Sequence, residues 1–147
     1  MANTLAPRTV IERYYAAYQA GDLAETAKWV AESCVIDEPT FLPYGRVDVI
    51  GAQAMFDKIG GTFFKLFAAD THLEATRYFV EGDAVITNAV WVMTGLHTGR
   101  EIRCHYQEYF EVENDHITVM RPFYHAAKEM LDEIAAAESR GIDLSLD

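Results

Sequence analysis

Cysteine is scarce in this chain. Only Cys34 and Cys104 occur, each inside a strand-like run. That excludes a disulfide scaffold and a zinc ribbon, and the two thiols read as small buried apolar residues of a reducing compartment. Basic residues are also few: 12 Lys and Arg stand against 23 Asp and Glu, a net charge of −11. So acidic a chain argues against nucleic-acid binding, where affinity rests largely on neutralised phosphates, and against an anionic membrane surface. No apolar run is long enough to span a bilayer, and the opening MANTLAPRTV lacks a signal-peptide core, so a cytoplasmic protein is expected. His72, His97, His105, His116 and His125 show neither His-x-His nor His-x-x-x-His spacing, and no metal site is expected. A Gly-rich phosphate loop and a dinucleotide fingerprint are missing too, so no cofactor is indicated. Repeats, linkers and low-complexity segments are absent, and 147 residues suit one domain spanning 1–147.

What is present is a hydrophobic half of the chain, organised around the stretch Arg100 to His125. Residues 102–112 alternate as a two-faced strand should. Ile102, Cys104, Tyr106, Glu108, Phe110 and Val112 share one face, apolar but for Glu108. Arg103, His105, Gln107, Tyr109 and Glu111 share the other. Glu113-Asn114-Asp115 signals a turn, and Ile117, Val119, Met120 and Phe123 mark the return strand. A carboxylate within an apolar strand face is costly unless it is paired or has a task.

Upstream, Pro7 opens a helix with Val10, Ile11, Tyr14, Ala17 and Tyr18 on one face, and Gly21 ends it. Asp22 and Glu25 have capping-box spacing for a second helix, with Leu23, Ala27 and Val30 directed inward. Cys34 to Glu38 is a short strand stopped by Pro39, and Pro39 to Val47 is a loop carrying Phe41 and Tyr44. A helix from about Ala52 to Phe67 is bent by Gly60-Gly61. Strands follow at 71–80, 84–96, 100–112 and 116–124, then a helix over 126–137 and a loose tail. Helices segregated from a meander predict an α+β fold, with helices packed on one face of a curved sheet around a cavity.

The order and several motifs resemble the nuclear-transport-factor-2-like superfamily, and within it the SnoaL-like polyketide cyclases and ketosteroid isomerases. The resemblance covers about residues 8–137. It rests on Arg13-Tyr14 followed by Gly21-Asp22, Val35-Ile-Asp-Glu-Pro39, Leu42-Pro-Tyr-Gly45 with Gly51, Gly95-Leu-His-Thr-Gly99 and Arg121-Pro-Phe-Tyr124. It implies a cone-shaped, curved antiparallel sheet with helices on its concave face and a deep apolar pocket. It also implies that Glu38 shuttles a proton beside a carbonyl while Tyr14 and Glu108 stabilise the developing enolate oxygen. An ungapped match puts Gln107 in place of Glu108; strand parity favours Glu108. The chain departs from the isomerases in having glutamates where they have aspartates and Ile59 where a helper tyrosine stands, and from many SnoaL-like chains in having His125 for an aspartate. The arginine–aspartate pattern of limonene epoxide hydrolases is not evident.

Each candidate has a plainer reading. Glu38 is either the base or a strand-end carboxylate that is solvated or bonded to a loop N–H, and Glu108 either a neutral pocket acid or an ion-pair partner of Arg103 or Arg121. Tyr14 and Tyr18 are either pocket hydroxyls or core aromatics. Tyr18, Trp91, Met93, Tyr106, Met120 and Tyr124 supply a wall suited to a cyclic ligand, and Phe41 and Tyr44 would cover the mouth. His105 and Gln107 would face a second subunit, making a homodimer; alternatively His72 and His105 would serve a dehydratase of the scytalone type. His125 is left open between ligand contact and a cap for the last helix. The expected function is a cofactor-free enzyme of isomerase or cyclase type, acting on a small apolar carbonyl compound. The competing readings are a non-catalytic binding protein of the same fold and an accessory dimerisation module.

Overall fold

The computed structural model describes residues 2–46 and 49–145. Val47, the last residue of the expected loop, lies outside them. Five helices and six strands follow in order: α1 (Pro7–Gln19), α2 (Leu23–Lys28), β1 (Val30–Ile36), β2 (Val49–Ile50), α3 (Gly51–Ala54), α4 (Gly61–Leu66), β3 (His72–Glu81), β4 (Ala84–Thr94), β5 (Glu101–Glu113), β6 (His116–Tyr124) and α5 (Ala127–Ser139). A short 3₁₀ turn over Pro43–Arg46 and a π-helical stretch over Met55–Gly60 complete the set. The strands form one curved, unclosed sheet in the order β2-β1-β6-β5-β4-β3.

The local chemistry explains most of these boundaries. Pro7 sits at the start of α1, and Gly21 leaves the helix with φ +71°. The Asp22 side chain accepts from Glu25 N at 3.0 Å and caps α2. Gly51 turns the chain from β2 into α3 with φ +83°, where a Cβ would lie 2.8 Å from the Glu32 carbonyl oxygen. The expected long helix is three segments, because its middle six residues are wound as π-helix up to Gly60.

Two expectations about the sheet need correcting. It is not antiparallel throughout: β1 runs parallel to β6, with Ile36 opposite Met120. A parallel pair needs a long connection, and here residues 37–115, about half of the chain, lie between the partners. The short β2, antiparallel to β1, was not foreseen. On α2, Leu23 is about half exposed rather than inward; Thr26 is buried instead, its hydroxyl satisfied by Asp22 O at 2.7 Å. The tail is also tied down: Leu144 is buried, and Lys65 Nζ donates to Asp143 O at 2.7 Å.

Strand parity decides what faces inward. Along β5 the even-numbered residues 102–112 are all buried and form the inner face. The register lines up Thr87 with Glu108 and Pro122, and Ala89 with Tyr106 and Tyr124. On the outer face the rows are Phe79, Ile86, Tyr109 and Arg121, then Arg77, Asn88, Gln107 and Phe123.

The last helix is fastened by a buried carboxylate. Glu133, fully buried, accepts from His97 N at 2.5 Å and from Thr98 N and Oγ1 at 3.1 and 2.6 Å. Gly95 leaves room for it, since any Cβ there would collide with the carboxylate. Glu133→Ala leaves three part-buried donors without their acceptor and is expected to cost on the order of 3 kcal/mol in chemical denaturation. Glu129→Ala, on the exposed side of α5, should change stability by less than about 0.5 kcal/mol.

Candidate functional site

A cavity of about 280 Å³ lies between the helices and the inner face of the sheet. Helix α1 contributes Tyr14, Tyr15 and Tyr18, and the segment after β1 contributes Glu38. Trp91, Tyr106, Glu108, Met120 and Tyr124 come from β4, β5 and β6. The π-helical stretch and α4 close the opposite side with Met55, Phe56, Ile59, Phe63 and Phe64. Leu23 and Phe64, each about half exposed, stand at the solvent side. Trp91, Tyr106 and Tyr124 form one aromatic patch, with ring centroids 4.6 Å apart for the first pair and 5.0 Å for the second.

The two carboxyl groups in this cavity are held differently. Glu108 Oε1 accepts the hydroxyl of Tyr15 at 2.9 Å and that of Tyr106 at 2.8 Å. Its Oε2 has no hydrogen-bond partner among the described residues. Glu38 Oε2 is shielded from solvent and likewise unpartnered. Burial raises both acids. For Glu108 the two tyrosine hydroxyls, Tyr106 first and then Tyr15, oppose that rise and the carboxyl is pushed up to about 7. Glu38 has no such donors; burial, then the Glu108 charge and then Asp37 hold it well above the ordinary carboxylate range. Burial followed by the Glu108 charge also raises Tyr14, Tyr15 and Tyr106, so these remain neutral hydroxyls.

The expected site residues meet in part. Tyr14, Tyr18, Glu38, Trp91, Tyr106, Glu108, Met120 and Tyr124 all line the cavity. The parity argument for Glu108 over Gln107 holds: Gln107 is exposed on the outer face. Glu108 is not in an ion pair with Arg103 or Arg121, whose partners are Glu74 and Asp37 respectively. Tyr14 does not reach either acid by hydrogen bond; its hydroxyl faces Met55 Sδ at 3.8 Å.

Phe41 and Tyr44 do not line the cavity. The loop folds back on itself through Leu42 N to Pro39 O and Gly45 N to Leu42 O, at 3.1 and 3.0 Å, which drives Tyr44 into the core. Met93 is core as well, fully buried away from the cavity wall. His72 and His105 are exposed and off the cavity, His72 against Glu74 at 3.0 Å, which removes the geometry a dehydratase pair would need. His125 neither lines the cavity nor caps α5; its Nε2 lies 3.4 Å from Gln107 Oε1.

Of the two residues that donate to Glu108, Tyr15 is the one that the sequence reading missed; the apolar wall of Met55, Phe56, Phe63 and Phe64 was not foreseen either. The signal for Tyr15 was the pair Ile11 and Tyr15, one turn apart and both buried, which widens the buried face of α1 beyond the Tyr14–Tyr18 stripe.

This arrangement can be set beside known proteins. The SnoaL-like domain family matches residues 11–120, and the chain belongs to it. No match was found among curated proteins. Among solved structures, the chain is similar to an NTF2-like protein from Burkholderia thailandensis E264, at 18% identity and TM-score 0.77, over 92% of this chain and 98% of that one. It is similar to a protein of Xanthomonas campestris pv. campestris provisionally named a polyketide cyclase, at 18% identity and TM-score 0.71, over 86% and 96%. It is also similar to IdmH of Streptomyces antibioticus, again provisionally a polyketide cyclase, at 20% identity and TM-score 0.69, over 89% and 99%. At such identities these likenesses show the NTF2-like fold.

The raised Glu108 generates a testable pH dependence. Its folded value, about 7, lies above the ordinary 4.5, so the unfolded chain releases this proton first. Its contribution to stability is therefore fully present below about pH 4.5, falls as pH rises to about 7, and then levels off. Measured as the difference between the wild type and Glu108→Gln, the wild type should lose on the order of 3 kcal/mol between pH 4.5 and 8. Thermal melts of both chains across that range check the sign and size.

Proposed function

We propose that this chain is a cofactor-free enzyme that moves a proton next to the carbonyl of a neutral, mainly apolar ring compound. The observation that carries this reading is the unequal treatment of two acids in one apolar cavity: two hydroxyls donate to Glu108, and none to Glu38. Two nearby acids in a dry site cannot both ionise cheaply, so hydrogen bonding selects which one does. That favours Glu108 as the carboxylate and Glu38 as the neutral acid, the reverse of the order the family resemblance implied.

In the proposed step, Glu108 Oε2 removes the proton from the carbon beside the carbonyl. The C–H electron pair becomes the C=C bond of an enol, and the carbonyl oxygen takes its proton from Glu38. Where the substrate carries a C=C bond next to the carbon that lost its proton, the enol is a dienol: Glu108 returns its proton to the far carbon, the enol O–H proton goes back to Glu38, and the product is the conjugated isomer. Where a second carbonyl lies within reach, the enol carbon attacks it and closes a ring, the new alkoxide taking the proton from Glu108 while the enol O–H proton returns to Glu38. No electrons leave the substrate in either outcome, so no oxidant is required. Among the described residues the cavity lining includes no Lys, Arg or His, so an anionic ligand would meet carboxyl groups there without a compensating charge. The aromatic patch suits a flat ring.

The test is proton exchange. Incubation of cyclic ketones of two or three rings with the protein in D₂O, followed by proton NMR, should show enzyme-dependent loss of the signals beside the carbonyl. Glu108→Gln should slow the exchange by roughly 100-fold or more and Glu38→Gln by less, since an amide still donates to the oxygen. Exchange that survives Glu108→Gln intact, or its absence for every ring ketone that binds, would leave a non-catalytic ligand carrier of the same fold as the better reading.

We further propose that the outer sheet face pairs with a second copy. Phe79, Ile86, Phe123 and Val35 are each about half exposed there, amid Arg77, Arg121, Asp37 and Glu111, a mixed-charge surface that can complement itself across a two-fold axis. Light scattering should give a dimer, and Phe123→Glu a monomer that retains its fold by circular dichroism.

A further inference from the structure

The inner face of β4 is apolar except at one position. Val85, Ala89, Trp91 and Met93 are buried there, and Thr87 stands among them with no exposure at all. Valine has the same shape, and burying a hydroxyl in such a wall is unfavourable unless the hydroxyl has a partner. Thr87 has one: its Oγ1 lies 2.8 Å from the Tyr15 hydroxyl. Tyr15 in turn lies 2.9 Å from Glu108 Oε1, which the Tyr106 hydroxyl approaches to 2.8 Å. Thr87 is also the residue directly opposite Glu108 in the sheet register. Four side chains from α1, β4 and β5 thus form one hydrogen-bonded chain that ends on the carboxyl group.

The proton count gives this chain a direction. Tyr15 has one hydroxyl proton and two oxygen neighbours. While Glu108 is a carboxylate it only accepts, so the Tyr15 proton must point at it. The Tyr15 oxygen is then left as an acceptor toward Thr87, and the Thr87 proton fills that position. Every hydroxyl proton along the chain is matched in this one arrangement. When Glu108 is protonated, the demand on the Tyr15 proton weakens and it is free to turn toward Thr87. A hydroxyl at 87 therefore supports the ionised state of Glu108 more than the neutral one, by polarising Tyr15.

We propose that Thr87 is a positioning residue that orients the Tyr15 hydroxyl toward Glu108 and so sets where that acid ionises. This deepens the reading of Glu108 as the ionising acid and does not depend on turnover. The other titratable groups facing Glu108 are Tyr14, Tyr15 and Tyr18 from α1, Cys34 from β1, Glu38 just beyond it, Tyr106 from β5 and Tyr124 from β6. The lining residues of the π-helical stretch, Met55, Phe56 and Ile59, add no titratable group. None of these changes when Thr87 is replaced, so a shift in Glu108 would report the hydroxyl.

The experiment is a carbon-13 NMR titration of the full chain, with the Glu108 carboxyl resonance assigned by its loss in Glu108→Gln. Thr87→Val and Thr87→Ala should each raise the Glu108 midpoint by about half a pH unit, the worth of weakening one hydrogen bond to the anion. Thr87→Ser, which keeps the hydroxyl, should titrate with the wild type, whatever it does to thermal stability. A purely structural role would lower the melting temperature and leave the midpoint in place. The proposal is overturned if the midpoint is unmoved in the folded Val or Ala variant, or if Ser shifts as far as Val. A Glu108 midpoint above that of Glu38 would instead overturn the reading of Glu108 as the ionising acid.

Discussion

Two carboxyl groups share one apolar cavity, and that constraint governs the rest of the structure. Among the described residues neither acid has a basic partner, so the usual remedy for a buried charge, an ion pair, is not what holds them there. The fold answers with hydroxyls. Tyr15 descends from α1 and Tyr106 rises from β5 to meet on one oxygen of Glu108, while Arg103 and Arg121 on the outer face are turned to Glu74 and Asp37. Hydroxyl donors lower the cost of the anion without cancelling its charge, which leaves the carboxylate basic enough to take a proton.

The scaffold is arranged to keep water out of that contact. Tyr14 and Tyr15 both pack edge-on against Phe110, at centroid distances of 6.0 and 5.7 Å, so α1 is anchored to the sheet directly beside Glu108. On the far side, Glu133 locks α5 to the loop between β4 and β5. The helices are thereby held at two places on one sheet, and the cavity is the space between those anchors. Its least regular wall is the π-helical stretch ending at Gly60, where backbone hydrogen bonding is looser than in α-helix.

Much of this was legible in the sequence, for physical reasons that differ from residue to residue. Period-two alternation identified the four meander strands and put Glu108, not Gln107, on the inner face, because a strand offers only two directions. Asp22, Pro7 and Gly21 announced helix ends through cap chemistry that acts over three or four residues. What escaped notice depended on contacts far apart in the chain. Tyr15 looked like one aromatic among several until Glu108, from another strand, was placed beneath it. Tyr44 seemed suited to the cavity mouth, yet the turn from Pro39 to Gly45 carries it into the core. Leu23 was expected inside on periodicity alone, and the satisfied hydroxyl of Thr26 took that place. The resemblance to the isomerases pointed to two acids that do line one cavity, but the hydroxyls that distinguish them are encoded by no spacing rule.

The parallel pairing of β1 with β6 has a consequence for how the molecule comes into being. Ile117 N donates to Trp29 O and Asp37 N to Met120 O, so the strand that leads to Glu38 is stitched to the last strand of the sheet. During synthesis β1 emerges early and must wait, unpaired on that side, until the meander has been made. The meander can zip up from neighbouring hairpins, whereas the docking of β1 closes a loop containing about half of the chain and is entropically late. By that entropic ordering the strand carrying Glu108 is paired with its neighbours before the segment carrying Glu38 docks.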